Sequence, residues 1–182
     1  MARNVKHVLI GREEIAGMVR SVGARINADY AGREVMLVCV LKGACVFLSD
    51  LMRVLDVPVA IDFMSVSSYG SGTSTTGTVR ILRDLDADIA GKHVIVVEDI
   101  VDTGLTLRYL KEMLSTRRPA SIAVCAAFDK PARRKVHVEV EYVGMTIPDE
   151  FIVGYGLDFG GKYRNLPDVC VLSDDDGQGG TK

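Results

Sequence analysis

The chain has 182 residues, 48% hydrophobic and 25% charged, with a formal net charge of −2. That balance predicts one soluble globular domain with a full core, and it argues against a sequence-independent nucleic-acid binder, which carries a basic field. The opening "MARNVKHVLIGREE" lacks an apolar signal-peptide core and no apolar run has membrane-spanning length, so the expected compartment is the cytoplasm with no membrane partner.

Residues 12–29 predict an amphipathic helix, with Ile15, Val19, Val22 and Ile26 at helical spacing. "VMLVCVL" (35–41) is a continuous apolar run of strand length, expected to be buried on both faces, and it ends in Lys42-Gly43. A helical pattern follows from Ala44 to about Leu55. "VAIDFMSV" (59–66) is the next strand. "SSYGSGTSTTG" (67–77) has almost no apolar anchor and predicts a mobile loop over about 67–78. "TVRILRDL" then alternates as a strand. "HVIVVED" (93–99) is another buried strand, followed by a helix that starts near Thr103–Leu105 and runs through Leu110 and Leu114. "SIAVCAAFD" (121–129) is a strand leading to Lys130. The cluster Arg133-Arg134-Lys135 reads as a solvated turn. "YVGMTI", "FIVGYGL" and "DVCVLS" supply shorter strands, and the tail from about 174 to 182 is polar, Gly-rich and expected to fray.

Cys39, Cys45, Cys125 and Cys170 show no C-x-x-C spacing and are expected to be free, buried, inert thiols. No internal repeat or linker breaks the chain, so 1–182 is taken as a single domain. Strands alternate with helices through the middle. That predicts an α/β fold with a mainly parallel central sheet flanked by helices, and a site where the carboxyl ends of strands converge. Three such ends are polar: Lys42-Gly43, Glu98-Asp99 and Asp129-Lys130.

The segment "VVEDIVDTGLTL" (96–107) sets three acids at the exit of a buried strand. Asp102, Thr103, Gly104 and Thr106 then lead into a helix. A helix N-terminus offers unpaired N–H groups and a positive dipole end, the two hydroxyls add donors, and glycine allows close approach, so this loop suits a phosphate. Helix capping by Asp102 or Thr103 explains one acid, not three. A sugar phosphate fits all of them: carboxylates for hydroxyls and Mg²⁺, the loop for the phosphate.

This segment resembles the signature by which type I phosphoribosyltransferases bind 5-phosphoribosyl 1-diphosphate. The resemblance is closest to the hypoxanthine-guanine phosphoribosyltransferases and extends from about residue 8 to 173. "VLKGACVFLSDL" resembles their pyrophosphate loop, "SSYGSGTSTTG" their mobile loop, "FDKP" the end of their purine-binding strand, and "PDEFIVGYGLDFGGKYRNLPDVCVL" their hood. It implies the type I phosphoribosyltransferase fold, with a small hood from N-terminal residues and about 148–173, and a mobile lid loop.

The resemblance also implies roles. Glu98 and Asp99 hold the ribose hydroxyls, directly or through Mg²⁺. Asp102 is the general base near purine N7. Asp102, Thr103, Gly104, Leu105 and Thr106 wrap the 5′-phosphate; Leu105 stands where many members carry a basic residue. Lys42 and Gly43, behind a cis Leu41–Lys42 bond, form the pyrophosphate loop with Arg164, Ser68 and Tyr69. Lys130 donates to purine O6, Phe151 stacks on the base, Ile152 offers backbone groups to its edge, and Asp158 binds a second Mg²⁺. The metal ligands implied are therefore Glu98, Asp99 and Asp158. The implied reaction is purine salvage to IMP or GMP by a homodimer or homotetramer. Two other readings share the fold: an RNA-binding pyrimidine operon attenuator and a xanthine-preferring transferase. Asp102 and the slightly acidic net charge favour the enzyme, and the hood segment favours the hypoxanthine-guanine branch.

Overall fold

The computed structural model describes residues 5–68 and 79–173. Most of the expected mobile loop, including Tyr69, and the tail from 174 lie outside these residues. The elements run β1 (Val5–Ile10), α1 (Arg12–Asp29), β2 (Val35–Leu41), α2 (Ala44–Leu51), β3 (Val59–Ser68), β4 (Val79–Arg83), β5 (His93–Val101), α3 (Leu105–Ser115), β6 (Ser121–Asp129), β7 (Tyr142–Thr146), β8 (Ile152–Val153) and β9 (Val169–Leu172). The expected loop start at residue 67 is corrected: Ser67 and Ser68 pair with Arg80 and Val79 and close β3.

The main sheet has the order β4-β3-β2-β5-β6-β7. Its pairings are parallel except at β4, which lies antiparallel on the β3 edge. Parity along β2 shows why the central strands are apolar throughout. Val35, Leu37 and Cys39 join one core with α1 and α2. Met36, Val38 and Val40 join the other with Leu107, Leu110 and Leu114 of α3. Period-2 alternation thus serves two covered faces, and no polar residue interrupts it.

α1 buries Ile15, Met18, Val19, Val22 and Ile26, one stripe at helical spacing. Its start is fixed by Glu14 Oε2, which accepts the Gly11 N–H at 3.0 Å. α2 buries Ala44, Phe47, Leu48 and Leu51. Cys45 falls on the opposite side and is exposed, which corrects the expectation of four buried thiols; Cys39, Cys125 and Cys170 are buried. A second, antiparallel sheet of order β1-β9-β8 joins the N-terminal strand to the last third of the chain. It sits beside the carboxyl edge of the main sheet, where Gly156 backs onto Gly43. Among the described residues no helix is long and apolar enough to cross a membrane.

Candidate active site

Because β2, β5 and β6 are parallel, their polar ends meet on one edge. After β5 the chain turns through Gly104, whose φ of +81° is left-handed backbone that glycine adopts without strain, and enters α3 at Leu105. Thr103 Oγ1 accepts the Leu105 N–H at 3.4 Å. Glu98, Asp102, Thr103, Gly104 and Thr106 line one small pocket at this turn. The expected phosphate-binding residues are therefore brought together, with the remaining first-turn N–H groups of α3 alongside.

Glu98 and Asp99 share the strand end but not its faces. Glu98 lines the phosphate-loop pocket. Asp99 points at the turn after β2, where a Cβ on Gly43 would fall inside its Oδ2 and lie 3.0 Å from the Gly156 carbonyl. The Leu41–Lys42 bond before that turn is cis. Burial, and then the neighbouring Asp99 charge, push the Glu98 carboxyl well above the usual range. Burial raises Asp99 too, offset in part by the Ile100 N–H and the Arg164 charge. This is an acidic pair short of positive partners.

A testable consequence concerns stability. A carboxyl whose folded pKa is raised binds more protons folded than unfolded, so the fold loses stability as pH rises from the unfolded pKa towards the folded one. Glu98→Gln is expected to raise the Tm of the ligand-free protein, with a gap that widens between about pH 4 and neutrality; each kcal/mol regained is about 2–4 °C in a chain of this size. Thermal melts across that range check it, and a gap that shrinks as pH rises contradicts it.

Asp102 projects at the same edge. Its Oδ1 is buried and accepts no hydrogen bond. The nearest cation, Arg133 Nε at 3.3 Å, is in ion-pair contact only. A buried oxygen without a donor is suited to a ligand N–H. The expectation of a solvated turn at 133–135 holds for the exposed Arg133 and Lys135 and is corrected at Arg134. Arg133 is exposed but spans Asp102 and, at 3.7 Å, Asp149. Arg134 is largely covered, pairs with Asp129, and donates from Nε to the Asp102 carbonyl at 3.1 Å. Asp129 and the Asp102 carbonyl, at adjoining strand ends, draw the Arg134 guanidinium inward, a pull invisible to a local reading of charge.

At the end of β6, Lys130 is buried, with 6% of its surface exposed. Its ammonium donates to the Glu150 carbonyl at 2.7 Å and lies 3.7 Å from Asp149. Phe151 is exposed and meets Phe159 edge-on, with centroids 5.4 Å apart. Phe159 was not singled out by sequence; its spacing from Phe151 is the only signal. Ile152 is buried in β8, an edge strand. Asp158 and Arg164, implied to hold different ligands, hold each other: Arg164 Nη2 lies 2.6 Å from Asp158 Oδ1, and Nη1 donates to the Gly156 carbonyl at 2.6 Å. Ser68 ends β3. Among the described residues no three acids stand close enough to form one preformed metal cluster.

A parallel sheet whose strand ends combine an acidic turn leading into a helix, a glycine turn behind a lysine, and a buried lysine beside a small second sheet marks a phosphoribosyl-transferring class of enzyme. The family model described as "Phosphoribosyl transferase domain" matches residues 11–160. The hypoxanthine-guanine phosphoribosyltransferase of Streptococcus thermophilus (strain CNRZ 1066) is 46% identical over 175 residues, covering 96% of this chain and 97% of that one. The hypoxanthine phosphoribosyltransferase of Salmonella typhimurium is 49% identical over 177 residues, covering 95% and 99%. A crystal structure of a hypoxanthine phosphoribosyltransferase from Staphylococcus aureus superposes with a TM-score of 0.91 at 44% identity, covering 94% of each chain. The chain belongs to the hypoxanthine-guanine phosphoribosyltransferase family.

Proposed function

We propose that this site joins N9 of hypoxanthine or guanine to C1′ of 5-phosphoribosyl 1-diphosphate, releasing diphosphate and yielding IMP or GMP. The observation that supports it most is the buried Lys130, directly after β6 and beside the strand that ends in the Asp102 turn; Val101 of β5 pairs with Asp129 of β6. A buried ammonium needs acceptors. The 6-oxo group of hypoxanthine or guanine supplies one, whereas the 6-amino group of adenine would set donor against donor.

The roles follow from position. The base lies between Lys130 and Asp102, with Phe151 against its face and the edge-strand backbone of Ile152 at its rim. The N9–C1′ bond forms as the C1′–O bond to diphosphate breaks. The electron pair leaves on the diphosphate oxygen, and the purine proton passes at N7 to Asp102. The first turn of α3, with Thr103 and Thr106, holds the 5′-phosphate; Leu105 contributes through its backbone. Lys42, Gly43 and Arg164 receive the diphosphate, together with Ser68, at the end of β3, and Tyr69. For Arg164 this requires exchange of its Asp158 partner, which frees that carboxylate.

The donor set fits Mg²⁺. Glu98 and Asp99 are adjacent carboxyls at one strand end whose charged forms burial disfavours, Asp158 is a separate carboxylate, and Mg²⁺ commonly takes one or two carboxylates with substrate phosphates and water completing the shell. Glu98, Asp99 and Asp158 would hold the ion, which would supply positive charge against the departing diphosphate. The same reading takes the enzyme as a cytoplasmic homodimer or homotetramer that uses no nucleic acid.

Lys130→Met tests the assignment. A hydrogen bond to a charged group is worth about 1.5–3 kcal/mol, so KM for hypoxanthine and guanine should rise by about 10- to 150-fold with KM for 5-phosphoribosyl 1-diphosphate nearly unchanged. Purine KM values equal to wild type would remove Lys130 from base recognition.

A further inference from the structure

We propose that Arg134 is a positioning residue for this reaction: one guanidinium locks the turn that carries Asp102 and the phosphate loop to the strand end that carries Lys130. The inference rests on the proposed reaction. Nε of Arg134 donates to the Asp102 carbonyl at 3.1 Å while Nη2 pairs with Asp129 Oδ1. Both side chains are mostly covered, 19% and 17% exposed. The guanidinium fork therefore bridges two neighbouring strand ends, and a single ammonium cannot reproduce both arms.

The segment that follows reinforces the bridge. The N–H groups of Lys135 and Val136 donate to the Thr103 carbonyl at 3.0 and 3.3 Å. The Arg134 Cδ, the Val136 carbonyl and Val138 Cγ1 would all stand 3.0 Å from a Cβ at Gly104, so they form the floor of the phosphate turn. Between the strand ends themselves, the Lys130 N–H donates to the Val101 carbonyl at 2.9 Å. Arg134 thus touches the backbone of the proposed base and the residue next to the proposed purine lysine, without facing either substrate. Its effect would be to set the spacing between proton acceptor and purine, and between purine and phosphate.

Three variants test this: Arg134→Lys, Arg134→Met, and the double variant Asp129→Asn with Arg134→Met. A displacement near 1 Å at a reacting group costs on the order of 10²-fold in rate, so kcat should fall by about that much in Arg134→Lys and in the double variant. Lysine still neutralises Asp129, and the double variant leaves no buried charge unpaired, so both should melt near wild type, whereas Arg134→Met alone should melt lower. A role limited to neutralising Asp129 gives the opposite pattern, with Arg134→Lys or the double variant regaining wild-type kcat, and that overturns the proposal. If a variant melts low, kcat is read at a temperature where circular dichroism shows it folded; wild-type turnover there again overturns the proposal. Wild-type turnover of hypoxanthine or guanine is measured first: its absence defeats the proposed reaction, whereas its presence with wild-type kcat in the variants defeats only the role of Arg134.

Discussion

Asp102→Asn should lower kcat by about 10²–10⁴-fold, the usual worth of a positioned proton acceptor. The amide keeps the size and shape of the carboxyl, so the turn from Thr103 to Thr106 should hold its conformation. Its brace on the backbone, the Arg134 donor to the Asp102 carbonyl, does not involve the substituted group. Binding of 5-phosphoribosyl 1-diphosphate should therefore stay close to wild type, measured by calorimetry in the presence of Mg²⁺. The side chain has no hydrogen bond at Oδ1 in the free protein, so little structure depends on it. Equal loss of binding and turnover would make Asp102 a structural or ligand-holding residue and leave the proton without an acceptor.

Gly43→Ala should be nearly as damaging for a different reason. Gly43 has helical backbone angles, φ −61° and ψ −42°, so alanine meets no torsional strain there. Space is what fails. The new Cβ would overlap Asp99 Oδ2 and press on the Gly156 carbonyl at 3.0 Å. Asp99 must turn away, or the second sheet must lift. Either movement separates the turn after β2 from the acids after β5. With about 10²-fold lost per 1 Å at the reacting centre, kcat/KM for 5-phosphoribosyl 1-diphosphate should fall by at least about that factor. KM for purine should move much less, because Lys130 and Phe151 lie on the far side of β5. Wild-type kcat/KM in this variant would mean the two loops do not act as one surface.

Local pattern carried the central sheet well. "VMLVCVL" is apolar throughout, and "HVIVVED" and "SIAVCAAFD" are apolar between their polar ends, because both faces are covered, and such runs have few other homes in a protein of this size. Strand ends were harder: β5 continues to Val101, two residues beyond the expected end at Asp99, and it turns Glu98 and Asp99 to opposite faces. Their shared position in sequence hid a division between the phosphate pocket and the Gly43 turn. The residues at the ends of β2, β5 and β6 meet at one edge, as expected, yet contacts among them were not legible. Arg164 pairs with Asp158, and Arg134 with Asp129; among the described residues neither acid has another ion-pair partner. Pairings between distant or adjoining segments depend on how strand ends register, which charge runs do not encode. Gly156 is a further case: its requirement comes from Gly43, 113 positions earlier, which backs directly onto it.

The central claim is transfer of a phosphoribosyl group to a 6-oxopurine, and its most direct measurement is product formation with one base at a time. The protein is mixed with Mg²⁺, 5-phosphoribosyl 1-diphosphate and either hypoxanthine, guanine, xanthine, adenine or uracil, and nucleotide and diphosphate are quantified. IMP from hypoxanthine or GMP from guanine is expected in equal amount with diphosphate, with no nucleotide from adenine or uracil. Absence of nucleotide with both hypoxanthine and guanine, or turnover of adenine matching theirs, would contradict it.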